Sequence, residues 1–294
     1  MPSSPRNPVC EVEFTVDDQF DPLVAFVTRI SPVLRSPPQD AGVIDLRRCE
    51  YIGPFAVGTI GARIKVCQLM KKQLTVKTPQ APPQLINYCK YSGLNHWANL
   101  GPPPDANHPD SETVPLSQFR DVLWGTAHEV IQLIKGHIEL TYDDEDALQL
   151  CFQEVGQNIS DHAESMIGGV FTARYIANRQ RIRVALVDRG IGILATLRPR
   201  FPEILDSRTA IKSVLEGGFS ARTFRRNRGH GIRHLRDTVE RLGGEVSIFS
   251  GDAAVHVADG QQRAAQSPDM YFPGTGIFFV LPVSGHASPD WHAS

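Results

Sequence analysis

Clusters of polar and glycine residues in the second half of the chain have types and spacings that suit phosphate and nucleotide chemistry. In LCFQEVGQNISDHAE, Glu154, Asn158 and Asp161 fall at i, i+4 and i+7, so one side of a helix carries all three. Leu148, Cys151, Val155 and Ile159 form the adjoining apolar stripe that would bury the helix. A carboxylate and a carboxamide on neighbouring turns can grip a hydrated divalent cation and the phosphates it carries, and the plain alternative is a solvated helix edge. In DRGIGI, Asp188 ends an apolar strand and Gly190 and Gly192 follow in alternation. Glycine lets backbone approach a ligand closely, and an aspartate there can accept a hydrogen bond from an exocyclic amine such as adenine's. The alternative is a strand leaving its sheet through a glycine turn.

The third cluster is GGFSARTFRRNRGHGIRHL, where Arg222, Arg225, Arg226 and Arg228 surround a segment that ends in Gly229-His230-Gly231. A helix is expected after it, over residues 232–242. Glycine N–H groups at a helix N-terminus make an anion site, and arginines add bidentate phosphate donors; a solvated basic loop is the competing reading. A nucleic-acid patch is disfavoured, because aromatics are few and the formal net charge is -2. A dinucleotide fingerprint fails as well, since GHGIRH lacks the third glycine and no parallel strand feeds it.

Composition places these clusters in a globular protein: 294 residues with 41% hydrophobic and 21% charged residues suffice for two modest domains or one large one. The pI near 6.5 supplies no field that would draw the chain to nucleic acid or an anionic membrane. Cys10, Cys49, Cys67, Cys89 and Cys151 form no C-x-x-C pair and read as reduced, buried thiols. The opening MPSSPRNPVC lacks the basic and apolar regions of a signal peptide, and no apolar run reaches membrane-spanning length. The expectation is a soluble, cytoplasmic protein.

The elements that must position the clusters follow from periodicity. Residues 11–16 alternate as a strand, and residues 20–34 are spaced as a helix whose end Pro32 should disturb. AGVIDL reads as an interior strand ending in Asp45. Residues 55–72 read as a helix with one buried face, in which Gly58 and Gly61 imply close packing on a sheet; QLTVKT is a strand and residues 82–94 a helix closed by Gly93. Residues 100–118, rich in Pro, Asp, Asn and Ser, read as a stiff linker. Beyond it come a helix over 119–138, weakened by Gly125 and Gly136, and a helix from about 143 to 163 entered through TYDDED. Two strands joined at 178–180 form a hairpin, residues 207–217 a helix, and GGEVSIFSG and GTGIFFVLPV closing strands, with 251–273 as the loop between these last two.

The first half, residues 11–97, resembles a STAS domain, the fold of bacterial anti-sigma factor antagonists, through VIDL and the loop Tyr51-Ile52-Gly53-Pro54-Phe55-Ala56. In that family the loop carries a phosphorylated Ser or Thr. Here the acceptor position falls on Pro54 or Phe55, which cannot take a phosphate, and Thr59 is a weak substitute one turn on. The second half, residues 119–283, resembles the GHKL ATPase superfamily, which includes gyrase-type ATPases, histidine kinases and anti-sigma factor kinases. The boxes are Glu154-x-x-x-Asn158-x-x-Asp161 with His162, Asp188-x-Gly190-x-Gly192, Gly229-His230-Gly231-Ile232 after FSAR, and Gly274-Thr275-Gly276. The fold so implied is α/β: an N-terminal STAS-like open sheet over residues 1–99, a linker over 100–118, and a GHKL α/β sandwich with a mixed, largely antiparallel sheet over 119–294.

The resemblance implies a role for each residue. Asn158 would coordinate Mg²⁺ bridging the phosphates of ATP, and Glu154 would be the general base acting on water or a protein hydroxyl. Asp188 would bind the adenine amine, with Asp161 and Thr275 in the same pocket. Gly190, Gly192, Gly229 and Gly231 would let backbone and lid close on the nucleotide. Arg222 or Arg228 would meet the γ-phosphate, and His162 would pack or cap. No histidine-kinase phosphoacceptor helix is apparent, since neither His128 nor His137 has the required setting. Three functions stay open: a kinase of a partner protein's Ser or Thr, resembling anti-sigma factor kinases; a non-catalytic nucleotide-gated interaction switch; and a plain ATPase. A regulatory protein partner is expected, nucleic acid and membrane are not, and homodimerisation is left open.

Overall fold

A helix that is apolar on every side must be covered on every side, and α2 (Pro54–Leu69) is such a helix. In the computed structural model, which describes residues 9–11, 19–37, 42–105, 112–120, 124–217 and 231–283, α2 lies between two sheets. Proline at its first turn, after Gly53, is pre-set for a helix start. One side of α2 serves a three-stranded parallel sheet made of β1 (Val9–Glu11), β2 (Val43–Asp45) and β3 (Thr75–Lys77), in the order β1-β2-β3. The helix α1 (Phe20–Arg35) joins β1 to β2, as parallel neighbours require. Its apolar residues Leu23, Phe26, Val27, Ile30, Val33 and Leu34 all face the core. Pro32 does not end α1 early: the helix runs to Arg35, and the Ser36 N–H closes it on the Pro32 carbonyl at 3.1 Å. After β3, α3 (Pro83–Tyr91) stops before Gly93, whose φ of 79° turns the chain into the single turn α4 (Leu94–Trp97).

The other side of α2 meets a seven-stranded sheet. Its strands are β4 (Thr113–Phe119), β5 (Gly169–Ile176), β6 (Arg181–Asp188), β7 (Glu245–Gly251), β8 (Ala253–Ala258), β9 (Gln261–Gln266) and β10 (Phe272–Pro282). They lie in the order β4-β5-β6-β10-β7-β8-β9, and every neighbouring pair is antiparallel. Alternation along β10 sends Phe278 to the α2 side and Phe279 to the opposite side. There α5 (Trp124–Lys135), α6 (Tyr142–His162), α8 (Ser207–Glu216) and α9 (Gly231–Arg241) cover the sheet around Phe152, Val155, Phe171, Leu186 and Ile248. The short helix α7 (Gly192–Leu197) follows β6.

The sequence expected Gly58 and Gly61 to pack on a sheet, and the sheet they approach is the larger one. A Cβ on Gly58 would stand 3.5 Å from Val187 and 3.8 Å from Ala185, both on β6. Phe55 is fully buried against Phe249, Phe272 and Phe278, with ring centroids 4.7, 5.6 and 6.0 Å away. One apolar core therefore runs from Cys10 to Val280, across the Pro-rich segment.

Several expectations need correction. Residues 113–118 are not linker: they belong to β4, which tolerates Pro115 because it is an edge strand with a register shift between Val114 and Ser117. The helix expected from 119 begins at Trp124, since Phe119 closes β4. Residues 251–273 are not a loop but carry β8 and β9, the polar QQRAAQ forming the exposed far edge of the sheet. β1 is paired over Val9–Glu11, and the remainder of the strand expected over 11–16 lies outside the described residues. All five cysteines are free and buried, and no described helix is long and apolar enough to cross a membrane.

Candidate functional site

The site is organised along α6. Thr141 caps it: the Asp144 N–H donates to Thr141 Oγ1 at 3.2 Å, and the Thr141 N–H donates back to Asp144 Oδ2 at 3.1 Å. Arg241, at the end of α9, pairs with Asp144, so α9 runs back along α6 and its first residue arrives at Glu154. Gly231 makes that arrival close, since a Cβ there would stand 2.7 Å from Glu154 Cβ. Glu154 is largely enclosed: its side chain is 23% exposed, and its buried Oε2 has no hydrogen-bond partner among the described residues. Among the described residues, the cation-forming group at ion-pair distance is His234 Nδ1, 3.3 Å away and outside hydrogen-bond geometry. One turn on, Asn158 is half-buried and its carboxamide engages no partner among the described residues, whereas Asp161 is exposed.

The end of α6 abuts the second cluster. Ala163 O accepts the Ile191 N–H at 2.8 Å, and a Cβ on Gly190 would overlap that same carbonyl, so only glycine fits between Asp188 and the helix end. From Glu154 to Ala163 the helix rises about 14 Å. Asp188 is 1% exposed; its Oδ1 accepts the Gly190 N–H at 2.7 Å and its Oδ2 the Thr275 N–H at 3.1 Å. Burial pushes the Asp188 carboxyl up to about 7, against the downward pull of those two donors. Two ionised oxygens offer about four acceptor sites, so capacity for a further donor remains.

Gly192 and Gly274 both sit at φ 79°, where side chains are strained. Ser250 ties them together, its Oγ accepting the Ile193 N–H at 3.0 Å and donating to Gly274 O at 2.8 Å.

Asp188, Gly190 and Gly192 thus form one turn that Thr275 of β10 meets, and Glu154 and Gly231 come together at one helix crossing. Asn158 lies on α6 between the two, with Asp161 near its end. His162 is the last residue of α6 and is half-buried. Arg222, Arg228 and Gly229 lie outside the described residues. Sequence reasoning did not single out His234, Ser250 or Arg189. Ser250 carried no motif signal, and His234 follows the glycine box by one helical turn, a spacing that could have flagged it. Arg189, next to Asp188, reaches the other layer and donates from Nη2 to Leu34 O at 3.0 Å; burial lowers its guanidinium to about 9.

No protein-family model matches the chain, and no curated protein matches it at significant similarity.

Proposed function

We propose that the protein binds ATP with Mg²⁺ in a GHKL-type pocket and transfers the γ-phosphoryl group to a Ser or Thr of a protein partner, as anti-sigma factor kinases do. The observation that carries this reading is Asp188: a buried carboxylate with spare acceptor capacity, in a turn where only glycine fits, fixed to the end of the helix that bears Asn158 and Glu154. Asp188 would accept the adenine amine, with Gly190, Gly192 and Thr275 as the walls of that end. The Asn158 carboxamide, unpartnered among the described residues, suits a place in the shell of Mg²⁺, which would neutralise charge on the phosphates. Glu154, whose side chain is 23% exposed and whose Oε2 has no donor among the described residues, suits the proton-accepting role toward the attacking hydroxyl.

The N-terminal unit would be a STAS-like module that serves as a fixed platform and not as the substrate. Pro54 and Phe55, at the acceptor position, are buried against the large sheet. Thr59 is 0% exposed and its hydroxyl donates to Phe55 O at 2.8 Å, so no phosphate donor can reach it. A nucleotide-gated switch is the second reading, and the contact from Arg189 to Leu34 favours it, because it joins the Asp188 turn to the end of α1.

Nucleotide binding, phosphate release and phosphotransfer, measured on the wild type, Glu154→Ala and Asn158→Ala, test the proposal. Glu154→Ala should keep ATP binding and lose turnover, and Asn158→Ala should lose Mg²⁺-dependent affinity. Binding without any turnover in the wild type selects the switch, and absence of adenine-nucleotide binding with Mg²⁺ present refutes the pocket itself.

A further inference from the structure

A buried carboxylate oxygen without a donor is costly, and among the described residues Glu154 Oε2 finds none. Among the described residues, His234 is the one cation-forming group at ion-pair distance from it, with Nδ1 at 3.3 Å. The imidazole itself is 52% exposed, so the pair has a buried end and a wet end. Nor can His234 drift along the helix, because α9 is held at its start by Gly231 against Glu154 and at its finish by Arg241 on Asp144.

Among the described residues, the arginines that flank His234 on α9 are otherwise engaged. Arg233 pairs with Asp237 at 3.5 Å, and Arg236 pairs with Asp237 and with Glu240. Beneath Glu154, the Cys151 thiol contacts Thr238 Oγ1 at 3.9 Å, and burial pushes it up to about 12. It neither holds charge nor exchanges protons readily near neutral pH.

We propose that His234 is the positioning and relay residue for Glu154, carrying to solvent the proton that Glu154 takes up in each turnover. This rests on Glu154 being the general base of the kinase reading. The attacking hydroxyl loses its proton to the other carboxylate oxygen, Glu154 Oε1, as its oxygen bonds to phosphorus and the bond to the leaving phosphate oxygen breaks. Rotation of the protonated carboxyl then turns its O–H toward Nδ1 of neutral His234, which carries its hydrogen on Nε2; the proton passes to Nδ1 and the carboxylate is restored. The imidazolium releases the Nε2 proton to water, leaving the other neutral tautomer; exchange with water resets it. Protons balance over the cycle, and His234 touches neither nucleotide nor acceptor.

The test uses the full chain carrying His234→Ala, His234→Gln or Glu154→Gln, with ATP affinity, steady-state phosphate release and melting temperature as readouts. His234→Ala should lower kcat about tenfold or more while ATP affinity stays within about twofold, and added imidazole should restore much of the loss. His234→Gln, which can donate a hydrogen bond but not accept and release a proton, should stay slow. Without nucleotide, the melting effects of His234→Ala and Glu154→Gln should be non-additive, because the two side chains meet. A wild-type kcat in His234→Ala overturns the relay, as does a loss that imidazole leaves unrepaired or strict additivity of the two melting effects. Full turnover in Glu154→Gln removes the general base itself, and the relay with it; an inactive Glu154→Gln beside a fully active His234→Ala removes the relay alone.

Discussion

Asp188→Asn separates the electrostatics of the Asp188 turn from its shape. The carboxyl is 1% exposed and burial raises it from 3.8 to about 7. A carboxyl whose folded value is raised contributes stability fully present below pH 4, and that stability is lost as pH rises toward 7. A rise of that size weakens the folded state by on the order of 4 kcal/mol once the group must ionise. The asparagine has nearly the same shape and no charge, so it escapes this loss. It carries a separate, pH-independent penalty, because its NH₂ faces one of the two backbone donors now served by carboxylate oxygens, the Gly190 N–H or the Thr275 N–H; that penalty is about 1–3 kcal/mol.

The diagnostic quantity is therefore the change in the difference between variant and wild type. Relative to wild type, Asp188→Asn should be less stable at pH 4 and gain on the order of 4 kcal/mol by pH 8. On a chain this long that is a relative rise in Tm of roughly 10 °C. Thermal melts of both proteins across that range measure it. ATP should raise the wild-type Tm at pH 8 and do so much less for the variant, whose amide presents a donor to the adenine amine. Stability curves that stay parallel from pH 4 to 8 would refute the assignment of a costly buried charge to Asp188, whatever happens to ATP.

Two further substitutions probe the scaffold. Gly190→Ala sets a methyl group into the Ala163 carbonyl, so the Ile191 hydrogen bond must break and the turn must move; a loss of about 2–4 kcal/mol is expected, with nucleotide affinity falling alongside, and unaltered melting would sink the packing explanation. Phe55→Ala empties the aromatic cluster between α2 and the large sheet and should cost about 3–5 kcal/mol in a single shared unfolding transition. A separate early transition of the N-terminal unit would show that the two sheets do not share a core.

Much of the site was legible because it is built from local periods. The i, i+4, i+7 spacing of Glu154, Asn158 and Asp161 placed them on one helix, and TYDDED marked its entry, with the start expected near 143 and found at Tyr142 after the Thr141 cap. The glycines at 190 and 192 announced a tight turn. What the sequence could not reveal there is what each glycine avoids: a carbonyl from α6 at Gly190, Ser250 at Gly192. Those neighbours come from distant stretches of chain, and no local pattern encodes them. His234 was hidden for the same reason, since its meaning depends on α9 crossing α6 in one register.

The elements that misled were those whose local signal is overruled by pairing. Pro115 broke the strand pattern of β4, yet an edge position excuses its missing N–H. QQRAAQ has no apolar face, and it is a strand because β8 offers a partner along its length. For α2, sequence alone determined that it is a helix, that its start is pre-set by Pro54, and that glycines line it. Only the tertiary structure decided that it is buried between two sheets and that Phe55, in its first turn, faces an aromatic cluster instead of solvent. Periodicity reports which residues share a side of an element; which surface covers that side is settled by the burial of every apolar face at once.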